Sequence, residues 1–396
     1  MPSTSQAPST AAATTHSHTA VQIAIMAIAA FVIVTTEFLI IGLLPALARD
    51  LNVSVTLAGQ LVTLFAFTVM LFGPILTARL AHIDRRKLFT CILLVFAASN
   101  ALAAMSANIW ILAIARFIPA LLLPVFWGTA SETAGQLAGP ANAGKAVANV
   151  YMGISAALVF GIPLGTLAAD AIGWRGTFWM LAALCLLIAA LMRSSMPTLP
   201  AAPQRKQGEK QTLIFKDPRF IAHVALSVLT FTAMFTAYTY LADTLESLAG
   251  ISPGHVGWWL MGFGAVGMLG NHIGGRLVDR SPLGSSVVFL ALLAAGMLAA
   301  TPLATQHTGL MVALAVWGIA YTALFPICQV RVMRAGAQAQ ALAATMNISA
   351  ANAGIGLGAI FGGLGIRHYG LESLGVISTA IAGVAIVLAV LLMRRR

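Results

Sequence analysis

Stretches of roughly 20 apolar residues, separated by short charged islands, recur along the whole chain, and that is the length of helix that crosses about 30 Å of hydrocarbon. They fall at 21–47, 57–77, 88–107, 109–131, 147–168, 177–192, 220–242, 254–275, 286–304, 309–330, 341–364 and 374–393. A backbone in lipid must satisfy its own hydrogen bonds, so runs of this length become helices. Charged residues make up 8% of the 396 and hydrophobic ones 59%, whereas a water-soluble domain carries about 25% charged. The pattern predicts an all-α polytopic membrane protein with twelve transmembrane helices.

The second half repeats the first. Gly73, Arg79 and Leu80 return as Gly270, Arg276 and Leu277, an offset of 197, and Ala157, Gly161 and Gly165 return as Gly354, Gly358 and Gly362 at the same offset. This implies two six-helix bundles, 21–193 and 220–396, related by pseudo-two-fold symmetry. Bundles of that kind rock against each other around a site at their interface, which points to a transporter. A cytoplasmic linker, 194–219, holds Pro197, Pro200 and Pro203 and several cations, and should be flexible. Residues 1–20 are rich in Ser, Thr, Ala and Pro without Lys or Arg, and are expected to be a disordered tail rather than a cleaved signal.

The net charge of +11 is explained by sidedness. With an internal N-terminus, most of the 22 Lys and Arg fall on the inner side, leaving Arg49, Arg175 and Arg367 outside and Arg116 within a span. That asymmetry predicts both termini in the cytoplasm of a bacterial inner membrane. No basic soluble domain exists to hold nucleic acid. Cys91, Cys185 and Cys328 lie within spans without metal or disulfide spacing. No phosphate-cradling loop, paired acids or nucleophile–base set appears, so the chain reads as neither ATP-driven pump nor enzyme. Its expected partners are a small-molecule substrate, protons and lipids, its energy source a proton gradient rather than a cofactor, and one chain suffices for a pathway.

Glu37 lies about 16 residues into the first span. An acid there faces a cavity or a partner, and withdrawal from water favours the neutral form, as a proton carrier requires. Arg116 lies roughly 10 Å from the outer face and Glu37 roughly 13–15 Å, so the two can meet. A fixed guanidinium then tunes the carboxyl, or forms a static ion pair with it. The positions 197 later are Met234 and Ala313, which suggests ion coupling in the first half and a substrate wall in the second. Candidates for the wall are Phe38, Phe231, Phe235, Tyr238, Trp317, Tyr321 and Asn352.

Gly153, Ala157, Gly161 and Gly165 recur every four residues, with Pro163 as a hinge, and Ala350, Gly354, Gly358 and Gly362 repeat the stripe. Such faces let backbones approach closely, and they can also serve as a surface on which the halves slide. The turns carrying Arg79, Asp84 and Arg86, and Gly275, Arg276, Asp279 and Arg280, are expected to form charged knots that hold the inner side shut.

These residues resemble the major facilitator superfamily, and within it the twelve-span drug/proton antiporters that include sugar- and arabinose-efflux-like bacterial members. The resemblance spans 21–393. Gly275-Arg276-Leu277-Val278-Asp279-Arg280 is similar to the family's loop signature; the first copy departs from it, with Ala78 for the glycine and His82 for the aspartate. Arg116 matches the fourth-span arginine, and Gly161-Ile162-Pro163-Leu164-Gly165 is similar to the antiporter signature of span five. Thr35-Thr36-Glu37-Phe38 resembles the first span of the efflux branch. The resemblance implies export of a small organic solute by proton antiport through alternating access, with Glu37 and Arg116 coupling the proton. A proton-coupled importer of the same fold, or a non-transporting sensor, remains the alternative reading.

Overall fold

The computed structural model describes residues 10–80, 82–139, 142–198 and 214–394, and within them the chain is helical with no strand. Ten of the described helical stretches are long and apolar enough to cross a membrane. One of them, Ala143–Ser195, holds 53 residues and is divided by Gly173, whose φ of 74° is non-helical. Pro253–Arg280 is long enough at 28 residues, but its glycines, Asn271 and His272 lower its hydropathy. Splitting the long rod and adding this one gives twelve rods among the described residues, as the apolar runs predict.

We number them α1 (Thr10–Asp50), α2 (Val55–Leu80), α3 (Arg85–Ala104), α4 (Ile109–Ala138), α5 (143–172), α6 (174–195) and α7 (Pro218–Tyr238). The remainder are α8 (Pro253–Arg280), α9 (Pro282–Ala300), α10 (His307–Ala335), α11 (Gln340–Tyr369) and α12 (Leu374–Arg394). Sequence punctuation sets these ends. Asp84, Asn108, Asp217 and Ser281 accept from backbone N–H groups of the first turns of α3, α4, α7 and α9, which satisfies donors that a helix start leaves free. Pro163 has no N–H to donate within α5, and the turn Ala157–Gly161 before it relaxes into a π-helix.

The expected tail, 1–20, lies outside the described residues over 1–9; from Thr10 the chain is already helical and runs into α1 without a break. An alanine-rich start favours that continuation. Of the expected linker, 199–213 lies outside the described residues. Its far end is anchored: Ile214 is buried with Phe220 against Val332, Ala339 and Ala343.

Helix pairing follows the repeat. In the first half α1 packs on α5, α2 on α4 and α3 on α6; in the second α7 packs on α11, α8 on α10 and α9 on α12. The small-residue stripes explain the first pair of each set. An added Cβ at Gly153 would lie 2.9 Å from that of Ala30, while Gly161 and Gly165 face Thr35 and Leu39 on α1. Likewise Gly354 faces Phe231, and Gly358 would place a Cβ 2.9 Å from the Phe235 backbone on α7. The stripes therefore hold each half together. The sliding role between halves belongs elsewhere, because these faces are already occupied within their own bundle.

The halves meet along α2–α11 and α5–α8. Thr63 donates to the Gly356 carbonyl at 3.2 Å, and Gly257 and Gly264 on α8 lie against Pro163, Leu167 and Val159 on α5. These contacts involve the parts of α2, α5, α8 and α11 farthest from the chain termini. At that same end Arg49 and Glu246 form an ion pair at 2.5 Å between the halves, and the two positions are separated by 197 residues. Equivalent points of the repeat thus join across the pseudo-two-fold axis. Toward the terminus-bearing end, Asn271, His272, Gly275 and Arg276 on α8 are exposed.

The knots at the terminus-bearing end do not lock the halves together as the sequence suggested. Asp84 caps α3, accepting from Lys87 N–H at 3.1 Å. Arg85 pairs with Glu132 at 2.9 Å within the first half, and Asp279 with Arg334 at 2.8 Å within the second. Arg79, Arg276 and Arg280 are exposed, and Arg86 is half-buried.

Gly358→Val should destabilise the protein by about 1–3 kcal/mol through overpacking against backbone that no rotamer change relieves. Gly275→Val, which meets open space, should leave the melting temperature of the detergent-purified protein unchanged. Equal melting of the two variants would refute the stripe's role.

Candidate functional site

Glu37 sits mid-way along α1 and is partly exposed, between buried Thr36 and Phe38. One turn further on, Gly42 is closed in by Thr166 and Leu260.

Arg116 on α4 is 2% exposed and reaches α1 as the depth argument predicts. It does not form the static ion pair. Its guanidinium donates instead to two consecutive backbone carbonyls, those of Thr36 and Glu37, and lies 4.5 Å from the centre of the Phe65 ring. A planar fork with several N–H groups suits this bridge. Arg116 thus sits beside Glu37 through the backbone, and the ion pairs among the described residues do not include one between the two side chains. The arrangement fixes the backbone and leaves the acid chemically available.

Across the interface the second half presents an aromatic box. Phe38 on α1 lies 6.0 Å from Phe235 on α7. Tyr238 is 4.5 Å from Tyr321 on α10 and stacks on Phe263 of α8 at 5.5 Å. Phe263 meets Trp317 edge-on at 5.6 Å, and Phe231 meets Phe325 at 5.1 Å. The structure thus gathers six of the seven wall candidates, Phe38, Phe231, Phe235, Tyr238, Trp317 and Tyr321, into one cluster adjoining Glu37. Asn352 is separate: it donates to Ile348 O of its own helix and lies one turn before Gly356, on the side of α11 that faces α2. Its helix turns that face to the seam between halves, away from α7.

Phe263 and Phe325 were missed. Phe325 follows Tyr321 by one helical turn, a signal the sequence contained. Phe263 gave none, because the register of α8 against α7 and α10 is a tertiary fact. Two cations assigned to aqueous loops are also buried: Arg85 and Arg331 are each 1% exposed. Arg331 donates to Ser227 Oγ at 2.8 Å and Ser286 Oγ at 3.1 Å, and Ser227 in turn donates to Asn347 at 2.8 Å. Span ten was expected to end at 330, but α10 continues to Ala335 and carries Arg331 inside the bundle.

The bridge gives a clear expectation for Arg116. The substitution Arg116→Met removes two charge-assisted hydrogen bonds to carbonyls that keep their intrahelical partners, and should cost about 1.5–3 kcal/mol for each bond lost. Arg116→Lys keeps the charge but loses the fork, and its melting temperature should fall between those of the Arg116→Met variant and the native chain; native-like melting of both variants would contradict the bridge.

Comparison with known proteins agrees with this architecture. The sequence profile of the Major Facilitator Superfamily matches residues 26–339 and 226–396. The inner membrane transport protein YdhP of Escherichia coli O157:H7 is 34% identical over 372 residues, covering 94% of this chain and 95% of the relative; the K12 protein matches equally. Among solved structures, an inward-facing, unoccupied bacterial homolog of the human lysosomal transporter Spinster matches with a TM-score of 0.78 at 15% identity, over 95% of this chain and 97% of that one. The nucleoside transporter NupG matches with a TM-score of 0.73 at 16% identity, over 94% and 98%. With a profile that spans the chain and a relative at this identity, the protein belongs to the Major Facilitator Superfamily of multi-pass membrane transporters.

Proposed function

We propose that this protein is a proton-driven antiporter that exports a small organic solute across a bacterial inner membrane. The terminus-bearing end, where Arg79, Arg276 and Arg280 are exposed, is then the cytoplasmic one. The observation that carries the reading is the Glu37 carboxyl. The residue is only partly buried, it adjoins the aromatic box, and the Arg116 guanidinium beside it is occupied by backbone carbonyls.

The cycle follows from those neighbours. With the Arg49–Glu246 end open, Glu37 takes a proton from outside and the solute leaves. With the terminus-bearing end open, Glu37 releases its proton to the cytoplasm as solute enters the box. Proton and solute compete, and that linkage acts in both directions. Export is the reading that the resemblance of Thr35-Thr36-Glu37-Phe38 and of the Pro163 segment supports. The name of the E. coli relative, an inner membrane transport protein, is consistent with the location.

Glu37→Gln removes the titration and keeps the shape. In proteoliposomes screened with labelled antibiotics, pentoses and nucleosides, an acid interior should make the native protein accumulate its solute inside. Glu37→Gln should lose at least tenfold of that gradient-dependent flux while still exchanging solute without a gradient. Undiminished gradient-driven flux in the variant would remove Glu37 from the mechanism. Accumulation only with an acid exterior would establish import instead.

A further inference from the structure

Within the aromatic box, two buried polar atoms have no hydrogen-bond partner among the described residues: Trp317 Nε1 and Tyr321 Oη. Both side chains are 2% exposed. The Nε atoms of Arg116 and Arg331 also have no partner, but belong to guanidinium groups whose terminal nitrogens are engaged, and Thr35 Oγ1, Asn352 Oδ1 and Ser378 Oγ, on α1, α11 and α12, are further such atoms. Trp317 has a single polar atom and it is a donor only. A donor buried without an acceptor is destabilising, and proteins retain few such groups. The two residues lie four apart on α10, hence on one face of that helix.

We infer that the box holds an uncharged, planar aromatic solute with at least two hydrogen-bond acceptors, taken up by the Trp317 indole N–H and the Tyr321 hydroxyl. This deepens the transport reading and rests on it. Tyr238, Phe263 and Phe235 pack ring on ring in this structure, and a flat solute would take the place of one such ring contact as the halves move apart. Carbonyl or ring-nitrogen acceptors would satisfy the two donors. A pentose fits poorly, since most of its hydroxyls would meet rings and lose their water without replacement. An anion fits poorly too, because Glu37 adjoins the box through Phe38 and its ionised form repels a negative charge. The acceptors, rather than net charge, would then decide which aromatic solutes are carried.

The test is thermal stabilisation of the full-length protein in detergent, titrated with naphthalene, coumarin, quinoxaline, flavone and D-xylose. Naphthalene has a flat face without acceptors; coumarin, quinoxaline and flavone each carry two. Saturable stabilisation is expected from the acceptor-bearing compounds and not from naphthalene or D-xylose. Trp317→Phe and Tyr321→Phe keep a ring and lose one donor, and each should weaken that binding about tenfold, as one hydrogen bond is worth. Should one variant fail to fold, the other carries the comparison. Equal responses to naphthalene and coumarin, unchanged affinity in the Phe variants, or no saturable response from any acceptor-bearing compound would each overturn the proposal. An indole N–H spent on the face of Phe263 would give the second of these results. Melting is read without membrane or gradient, so a failure of proton coupling leaves this result intact, and a failure here leaves the flux experiment intact.

Discussion

In hydrocarbon, apolar helices gain little from leaving lipid for each other, so close packing of small residues decides which of them stay joined. That constraint organises this chain. Gly153, Gly161 and Gly165 press α5 onto α1, and Gly354, Gly358 and Gly362 press α11 onto α7. Within each half, backbone meets backbone. Between halves bulkier groups enter as well, among them Phe67 of α2 against Gly356 and Leu167 of α5 against Gly257, while Gly264 of α8 also meets the Val159 backbone of α5. The polar links across that seam include one hydroxyl–carbonyl hydrogen bond and the Arg49–Glu246 pair. An ion pair with Arg49 more than half exposed contributes on the order of 1 kcal/mol or less. A clasp of that strength closes one end and can release, whereas the stripes cannot.

The site straddles the same seam, with its charge on one side and its rings on the other. Arg116 is committed to the α1 backbone, which holds Glu37 at a fixed depth without neutralising its carboxyl. The rings of α7, α8 and α10 reach α1 through the Phe38–Phe235 contact. Any rocking of the halves moves the two sides of this contact relative to each other. In the proposed cycle a change at Glu37 reaches the box, and occupation of the box reaches Glu37, without a long path between them.

Much of this was legible in residue order alone. Run lengths pointed to the twelve rods and the offset of 197 to two halves, but the Arg49–Glu246 pair at that same offset was not foreseen. Glu37 and Arg116 stood out because charge is costly within a span. What the sequence could not supply was register and facing. The glycine stripe was visible, but its neighbour could have been either half; side-chain packing with Thr35 and Leu39 decides that. The turns bearing Asp84 and Asp279 looked like locks between halves because spacing does not say where an acid points, and both act within their own bundle. Asn352 was grouped with the rings and Phe263 missed for the same reason: one faces the seam between α2 and α11, and the other packs on Tyr238 and Trp317. Arg331 escaped notice because span ends are uncertain by a few residues.

The most direct measurement concerns the two ends of the seam at once. Spin labels at Ser54 and Ser252, exposed at the end closed by Arg49 and Glu246, and at Arg79 and Arg276, exposed at the other, report the two gaps by distance distributions in nanodiscs. As pH is stepped from alkaline to acidic, the account predicts that the distances shift in opposite senses, one gap widening as the other narrows. Two gaps that widen together, or neither of which moves, would contradict alternation between rigid halves.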